Sequence, residues 1–148
     1  MKKLLLICLA AFADASCTLE KQKSKLLYMW FDCEGNYATL SHPDSLRYYV
    51  SKIHDMGFTD VVVDVKSIMG ETLYKSDIAP YMGEWDGVTR PENYDLLGYF
   101  IEEGHKLGMR VHGSLNVFAG GHNFFDRGII YGDHADWQSQ VYTEGKIV

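Results

Sequence analysis

The chain contains few basic residues, no long apolar run and no low-complexity segment. Each of these absences limits the classes of protein to which it can belong. Its 148 residues carry 14 Lys and Arg against 20 Asp and Glu, a formal charge of −6. No basic cluster lies beyond the first residues and the stretch 21–25, so we expect no nucleic-acid partner, because phosphate binding requires a basic face. The apolar segment over residues 4–12 is too short to span a bilayer as a stable helix. Hydrophobic residues make up 47% of the chain, which suffices for the packed core of at most one domain.

The amino terminus has the charged head and short apolar body of a secretory signal. Two cleavage sites are consistent with it. Ala13-Asp14-Ala15 fits the small-x-small rule and predicts a soluble secreted protein. Ala15-Ser16-Cys17 resembles a bacterial lipoprotein site, although Asp14 stands where an apolar residue is usual. We predict a signal peptide over 1–16 and an exported cell-envelope lipoprotein, in the outer membrane or periplasm, with soluble secretion as the alternative.

Cysteine is scarce, with three in the chain, and each has a separate predicted fate. Cys8 leaves with the signal, and Cys17 is the predicted lipidation site that would anchor the protein in a membrane. The polar residues 17–25 then form a tether ahead of a domain over 26–148. Cys33 is left alone, so an internal disulfide is excluded and a small buried thiol is expected.

One sequence motif, here called the repeated phrase, occurs twice along the chain. His54-Asp55-Met56-Gly57-Phe58 leads into the apolar run 61–65, and His105-Lys106-Leu107-Gly108-Met109 leads into the run 111–117. Each copy predicts a helix end, a glycine in the left-handed conformation and a buried strand. A helix that feeds a short apolar strand, repeated, is typical of βα units around a parallel sheet.

The remaining pattern predicts three strands and two helices. The strands are expected over 26–31, 61–65 and 111–117, and the second helix over 95–107. The first helix is predicted to be capped by Ser41 and to bury Leu46, Tyr49, Val50, Ile53 and Met56. Two long connections, 67–93 and 119–148, follow the carboxyl ends of strands, where α/β folds place their ligand sites.

Alternation along the strands separates an apolar face from one that becomes polar toward the carboxyl ends. The polar positions include Trp30, Asp64, Lys66, His112 and Asn116, an arrangement typical of a barrel interior with a polar mouth. Structural alternatives stay open for each group. Asp64 and Lys66 are also consistent with an ion pair that has no catalytic part. His112 is also consistent with a hydrogen-bonded core residue, and Asn116 with a residue that caps a loop.

A metal site is the weakest reading of the carboxyl-terminal region. That region contains His122, Asp126, Asp133, His134 and Asp136, but their spacing matches no metal motif. We therefore expect neither a metal nor a cofactor.

Several of these segments resemble the glycosyl-hydrolase-like family ten, a group of exported or lipid-anchored bacterial proteins with a (β/α)₈ barrel. The resemblance rests on Trp30, on residues 57–66, on Gly70-Glu71-Thr72-Leu73-Tyr74 and on residues 108–118. It implies an α/β fold consisting of the first three βα units of a (β/α)₈ TIM-type barrel, truncated relative to a full barrel of about 250 residues.

The same resemblance implies hydrolysis of glycosidic bonds by paired carboxylates. These would lie on the fourth and later strands, beyond Val148, so the catalytic residues are unknown. The expected oligo- or polysaccharide-binding residues are Trp30, Asp64, Lys66, Tyr74, Trp85, His112 and Asn116. The alternative is a surface lipoprotein that binds glycan without cleaving it. A metal-dependent, deacetylase-like barrel enzyme is a third reading.

Overall fold

A computed structural model describes residues 25–132 and 134–147. The predicted signal peptide, the Cys17 lipidation site and all but the last residue of the tether lie outside the described residues. Over the described ranges the α-helices are α1 (Pro43–Asp55) and α2 (Leu96–Lys106), and the strands are β1 (Tyr28–Phe31), β2 (Asp60–Lys66), β3 (Glu84–Trp85), β4 (Val88–Thr89), β5 (Arg110–Leu115), β6 (Tyr142–Thr143) and β7 (Lys146–Ile147). Single 3₁₀ turns span Thr39–Ser41 and Ala135–Trp137. Neither α-helix is long and apolar enough to cross a membrane.

The predicted partial TIM-type barrel is wrong. Within the described residues the fold is mixed α/β, but its main sheet has three parallel strands in the order β1-β2-β5 and does not close. The other strands pair as two separate antiparallel hairpins, β3–β4 and β6–β7. A barrel requires every strand to have a neighbour on both sides, whereas β1 and β5 each have one. The repeated helix–glycine–strand phrase specifies neighbouring βα units, and open sheets and barrels share those units.

Both predicted helix ends are confirmed as Schellman motifs. After α1, Gly57 donates to the carbonyl of His54 at 2.8 Å and Phe58 to that of Ile53 at 3.1 Å. After α2, Gly108 and Met109 make the equivalent bonds to His105 and Gly104. The glycines have φ of 89° and 71°, where a residue with a side chain is strained.

The helix starts follow the prediction less closely. Asp95 caps α2, since its carboxylate accepts from the backbone N–H of Gly98 at 2.8 Å. The predicted cap Ser41 is wrong, because His42 occupies the cap position of α1 without a side-chain bond. The Ser41 hydroxyl instead donates to the carbonyl of Tyr37 and accepts from Nε of buried Arg90 at 2.8 Å.

The hydrophobic core lies on one side of the main sheet, between its strands and the two helices. Buried core residues include Leu46, Val50 and Ile53 of α1, Phe100 of α2, and Val61, Val63 and Val65 of β2. The buried stripe of α1 is narrower than predicted, since Tyr49 is 39% and Met56 63% exposed.

On the opposite side of the main sheet, the side chains that the structure describes are exposed or half-buried, apart from Asp60. We call this surface the open face and define it by the side chains that alternate away from the core: Tyr28, Trp30, Val62, Asp64, His112 and Ser114. Tyr28 is 52% and Trp30 59% exposed. The open face therefore presents two aromatic side chains to solvent beside polar groups.

Candidate functional site

The strand register places the open-face residues in rows across the sheet. Trp30 pairs with Val62, which in turn pairs with His112. One step toward the amino ends, Tyr28 lies beside Asp60, and Asp60 beside Arg110. One step toward the carboxyl ends, Asp64 pairs with Ser114. Of the predicted sugar-binding residues, the register thus brings Trp30, Asp64 and His112 onto one surface.

Asp60 anchors this surface through a buried carboxylate. Arg110 donates two hydrogen bonds to its oxygens, at 2.7 and 2.8 Å, and the Thr59 hydroxyl donates a third at 2.6 Å. The His112 Nε2 atom lies 2.8 Å from Oδ1 of the same carboxylate. The Arg110 hydrogen bonds, with those from Thr59 and His112, hold the pKa of Asp60 well below its ordinary value despite burial. The carboxylate is therefore charged and fully partnered.

The Asp60 cluster, formed by Asp60, Thr59, Arg110 and His112, fixes the orientation of the His112 ring. The imidazole is 44% exposed, and its ring centroid lies 5.8 Å from that of Tyr28. Because Nε2 is held by Asp60, the ring is fixed with its other nitrogen available to a ligand. Sequence reasoning missed Asp60 and Arg110, yet a signal was present. Each immediately precedes a strand's apolar run in the repeated phrase, and both share the parity of the open face.

Lys66, at the carboxyl end of β2, binds the backbone that follows β5. Its amine donates to the backbone carbonyls of Asn116 at 2.8 Å and Val117 at 3.5 Å, and also to that of Ala119. Burial lowers its pKa. The salt bridges of the described residues include none between Lys66 and Asp64. Lys66 and Asn116, two of the expected sugar-binding residues, are thus in contact, but through the main chain of Asn116.

Tyr74 and Trp85 do not lie on the open face. Both are half-buried and pack against the hydrophobic core. Trp85 also meets Phe125 edge to face, with ring centroids 5.0 Å apart and an interplanar angle of 61°. Trp85 and Phe125, together with Asp86 and Arg127, line an open cavity of about 410 Å³. We call this cavity the loop cleft.

Arg127 joins the loops around this cleft. It donates two hydrogen bonds to the carboxylate of Glu71, at 2.6 and 3.1 Å. It also reaches the carboxylate of Glu84 at 3.3 Å and its carbonyl at 3.1 Å. Hydrogen bonding to Glu71 is the main reason that the pKa of Arg127 is raised. Sequence reasoning missed this cluster, because Arg127 lies 43 residues from Glu84 and 56 residues from Glu71 along the chain.

Metal ligation finds no support in the described ranges. Across residues 25–132 and 134–147, no group of three or more His, Cys, Asp or Glu side chains could hold a metal ion. Asp133, one of the residues considered for such a site, lies outside those ranges.

Comparison with known proteins reveals a distant similarity but assigns no family. No family model matches the chain. It is similar to an S-layer-related protein of Niallia circulans, with 28% identity over 125 residues. That match covers 80% of this chain but 8% of the relative. The chain thus spans less than a tenth of that relative's length.

Proposed function

We propose that this chain binds a glycan on its open face. The observation that carries the proposal is the row formed by exposed Trp30 and by His112, whose ring Asp60 holds at 2.8 Å. A pyranose ring has apolar faces and a polar rim, so it fits an aromatic side chain bordered by hydrogen-bonding groups. Trp30 would stack on the ring, while His112 and Asp64 would meet its hydroxyls. Fixing the imidazole in advance limits the entropy lost on binding.

An exported, cell-surface location is the setting that we propose for this activity. The similarity to an S-layer-related protein and the secretory pattern of the amino terminus both support it. The finer proposal is a lipid anchor on Cys17, which the Cys17→Ser variant tests in a bacterial host that processes lipoproteins. Membrane-associated wild type and a released variant are expected. Equal release of both proteins would refute the anchor, and Cys33→Ser is the matched control.

Glycoside hydrolysis by a longer gene product is the second candidate. The resemblance of residues 57–66 and 108–118 to glycosyl-hydrolase-like family ten supports it. No carboxylate of this chain is assigned a catalytic role in that proposal. Incubating the full-length gene product with a polysaccharide panel and measuring reducing ends tests it. Release of reducing ends is the expected result, and binding without release would leave the glycan-binding function alone.

The binding proposal is tested by calorimetric titration of the full chain with oligosaccharides. Trp30→Ala removes the stacking surface and is expected to weaken binding about tenfold, which corresponds to roughly 1.4 kcal/mol. The control is Tyr48→Ala, because Tyr48 is a 57% exposed aromatic residue on α1, on the other side of the sheet. Unchanged affinity of a folded Trp30→Ala variant would refute the proposed site.

A further inference from the structure

We infer that the loop cleft, formed by Trp85, Asp86, Phe125 and Arg127, is a second carbohydrate subsite that takes one neutral sugar ring. The ligand class rests on the proposed glycan-binding function. The location and the preference for an uncharged sugar rest on the cleft itself. Its volume of about 410 Å³ falls within the range of ligand pockets, about 300–1,000 Å³.

The aromatic wall of the cleft consists of two rings that contact each other in the absence of a ligand. Trp85 packs partly on the hydrophobic core and meets Phe125 at 5.0 Å and 61°. Phe125 also contacts the rings of Phe124, at 5.0 Å and 88°, and of His122, at 5.5 Å and 58°. Two rings at a steep angle form a corner. A sugar can lay its apolar face on one ring and its edge against the other.

The polar wall is equally well defined. Asp86 and Gly87 form the turn between β3 and β4, with φ of 50° and 77°. Asp-Gly is a favoured pair for a two-residue hairpin turn that requires positive φ at both positions. The turn is secured further because Glu84 accepts a hydrogen bond from the backbone of Gly87 at 2.9 Å. Asp86 is therefore held at the rim of the cleft as an acceptor for a sugar hydroxyl.

The charges around the cleft decide which sugar it accepts. The guanidinium of Arg127 already pairs with the carboxylates of Glu71 and Glu84, at 2.6 and 3.3 Å. Asp86 lines the same cleft, so three carboxylates stand against one cation and the surroundings are negative. An acidic sugar would meet like charge and find the arginine occupied. A neutral ring loses no ionic solvation on binding and still has hydroxyls to donate to Asp86.

The three tryptophans of the chain supply matched variants. The Trp85→Ala variant removes the cleft wall, Trp30→Ala alters the open face, and Trp137→Ala removes a 65% exposed ring that lines neither surface. Each full chain is titrated calorimetrically with hexasaccharides of glucose, mannose and N-acetylglucosamine as neutral probes, of galacturonate as the acidic probe and of glucosamine as the cationic probe. We expect at least one neutral hexasaccharide to bind about tenfold more weakly to Trp85→Ala and unchanged to Trp137→Ala.

A second variant covers the case in which Trp85→Ala fails to fold. Asp86→Asn keeps a residue that tolerates positive φ and removes the acceptor charge, so we expect binding of the neutral probe to weaken about threefold with an unchanged circular dichroism spectrum. Unchanged binding by both Asp86→Asn and any folded Trp85→Ala, with a loss for Trp30→Ala, would overturn the subsite and leave the proposed function standing. Binding of galacturonate or glucosamine in preference to every neutral probe would overturn the assigned sugar class. If no probe binds the wild-type chain, both proposals fail.

Discussion

Replacing Asp60 by Asn should destabilise the fold by about 2 kcal/mol. The substitution removes a fully buried carboxylate that accepts from Arg110, Thr59 and His112. Breaking a fully buried ion pair is typically worth about 3–5 kcal/mol. We expect less, because Arg110 is 54% and His112 44% exposed, so water can solvate both once the carboxylate is gone. Asparagine also retains one acceptor oxygen.

Urea unfolding followed by tryptophan fluorescence measures this loss as a lower midpoint with an unchanged slope. The matched control is Asp55→Asn, whose side chain is 76% exposed and lies 3.4 Å from His54. It should change the free energy of unfolding by less than about 0.5 kcal/mol. A similarly small change for Asp60→Asn would refute the view that the Asp60 cluster holds the sheet together.

Acidification provides an independent check on the same carboxylate. Because the folded-state pKa of Asp60 is depressed, its stabilisation is fully present above the unfolded-state pKa of about 3.9 and is lost as the pH falls toward the folded-state value. The stability difference between wild type and Asp60→Asn should therefore shrink below about pH 4. A difference that stays constant down to pH 2 would contradict this assignment.

Three further substitutions test other parts of the fold. Gly57→Ala places a side chain at φ of 89° with no atom within 4 Å of the new Cβ, so backbone strain alone should lower the free energy of unfolding by about 1–2 kcal/mol; an unchanged urea midpoint would contradict it. Lys66→Met removes the donor to the carbonyls after β5 and should speed hydrogen exchange of the amides in 116–121 about tenfold, whereas unaltered exchange would show that the loop holds without it. Phe100→Ala empties a fully buried core position and should lower the free energy of unfolding by about 3–5 kcal/mol. The urea midpoint measures this loss, and a loss below about 1 kcal/mol would mean that the core collapses around the gap.

The parts of the fold that sequence predicts well are those determined by short-range chemistry. The glycines at 57 and 108 end their helices through bonds spanning five residues or fewer, so a local pattern suffices. Closure of the sheet depends on which distant strands pair, and no local pattern records that, which is why the barrel prediction failed. Ser41 was misassigned for a similar reason, since its partner Arg90 lies 49 residues away.

For the candidate site too, the sequence predicts what a local pattern determines and misses what long-range contacts determine. Parity along the strands placed Trp30, Asp64 and His112 on one face, and the register agrees. Tyr74 and Trp85 were grouped with them because they are aromatic residues in a long loop, yet both pack against the core. The loop cleft depends on Arg127 reaching Glu71 and Glu84, and pairings between segments so far apart in the chain leave no periodic signal.

The strand order also sets the sequence in which the molecule can be assembled during synthesis. Strand β2 is central, and its partner β1 precedes it with a 3₁₀ turn and α1 between them. This pair can form as soon as residues 28–66 have left the ribosome, before β5 exists. Strand β5 then adds to the free edge of β2 in register, so that no existing pairing has to be broken. A parallel sheet built from contacts 32 and 50 residues apart should fold slowly when refolded from denaturant, and synthesis in chain order avoids part of that search.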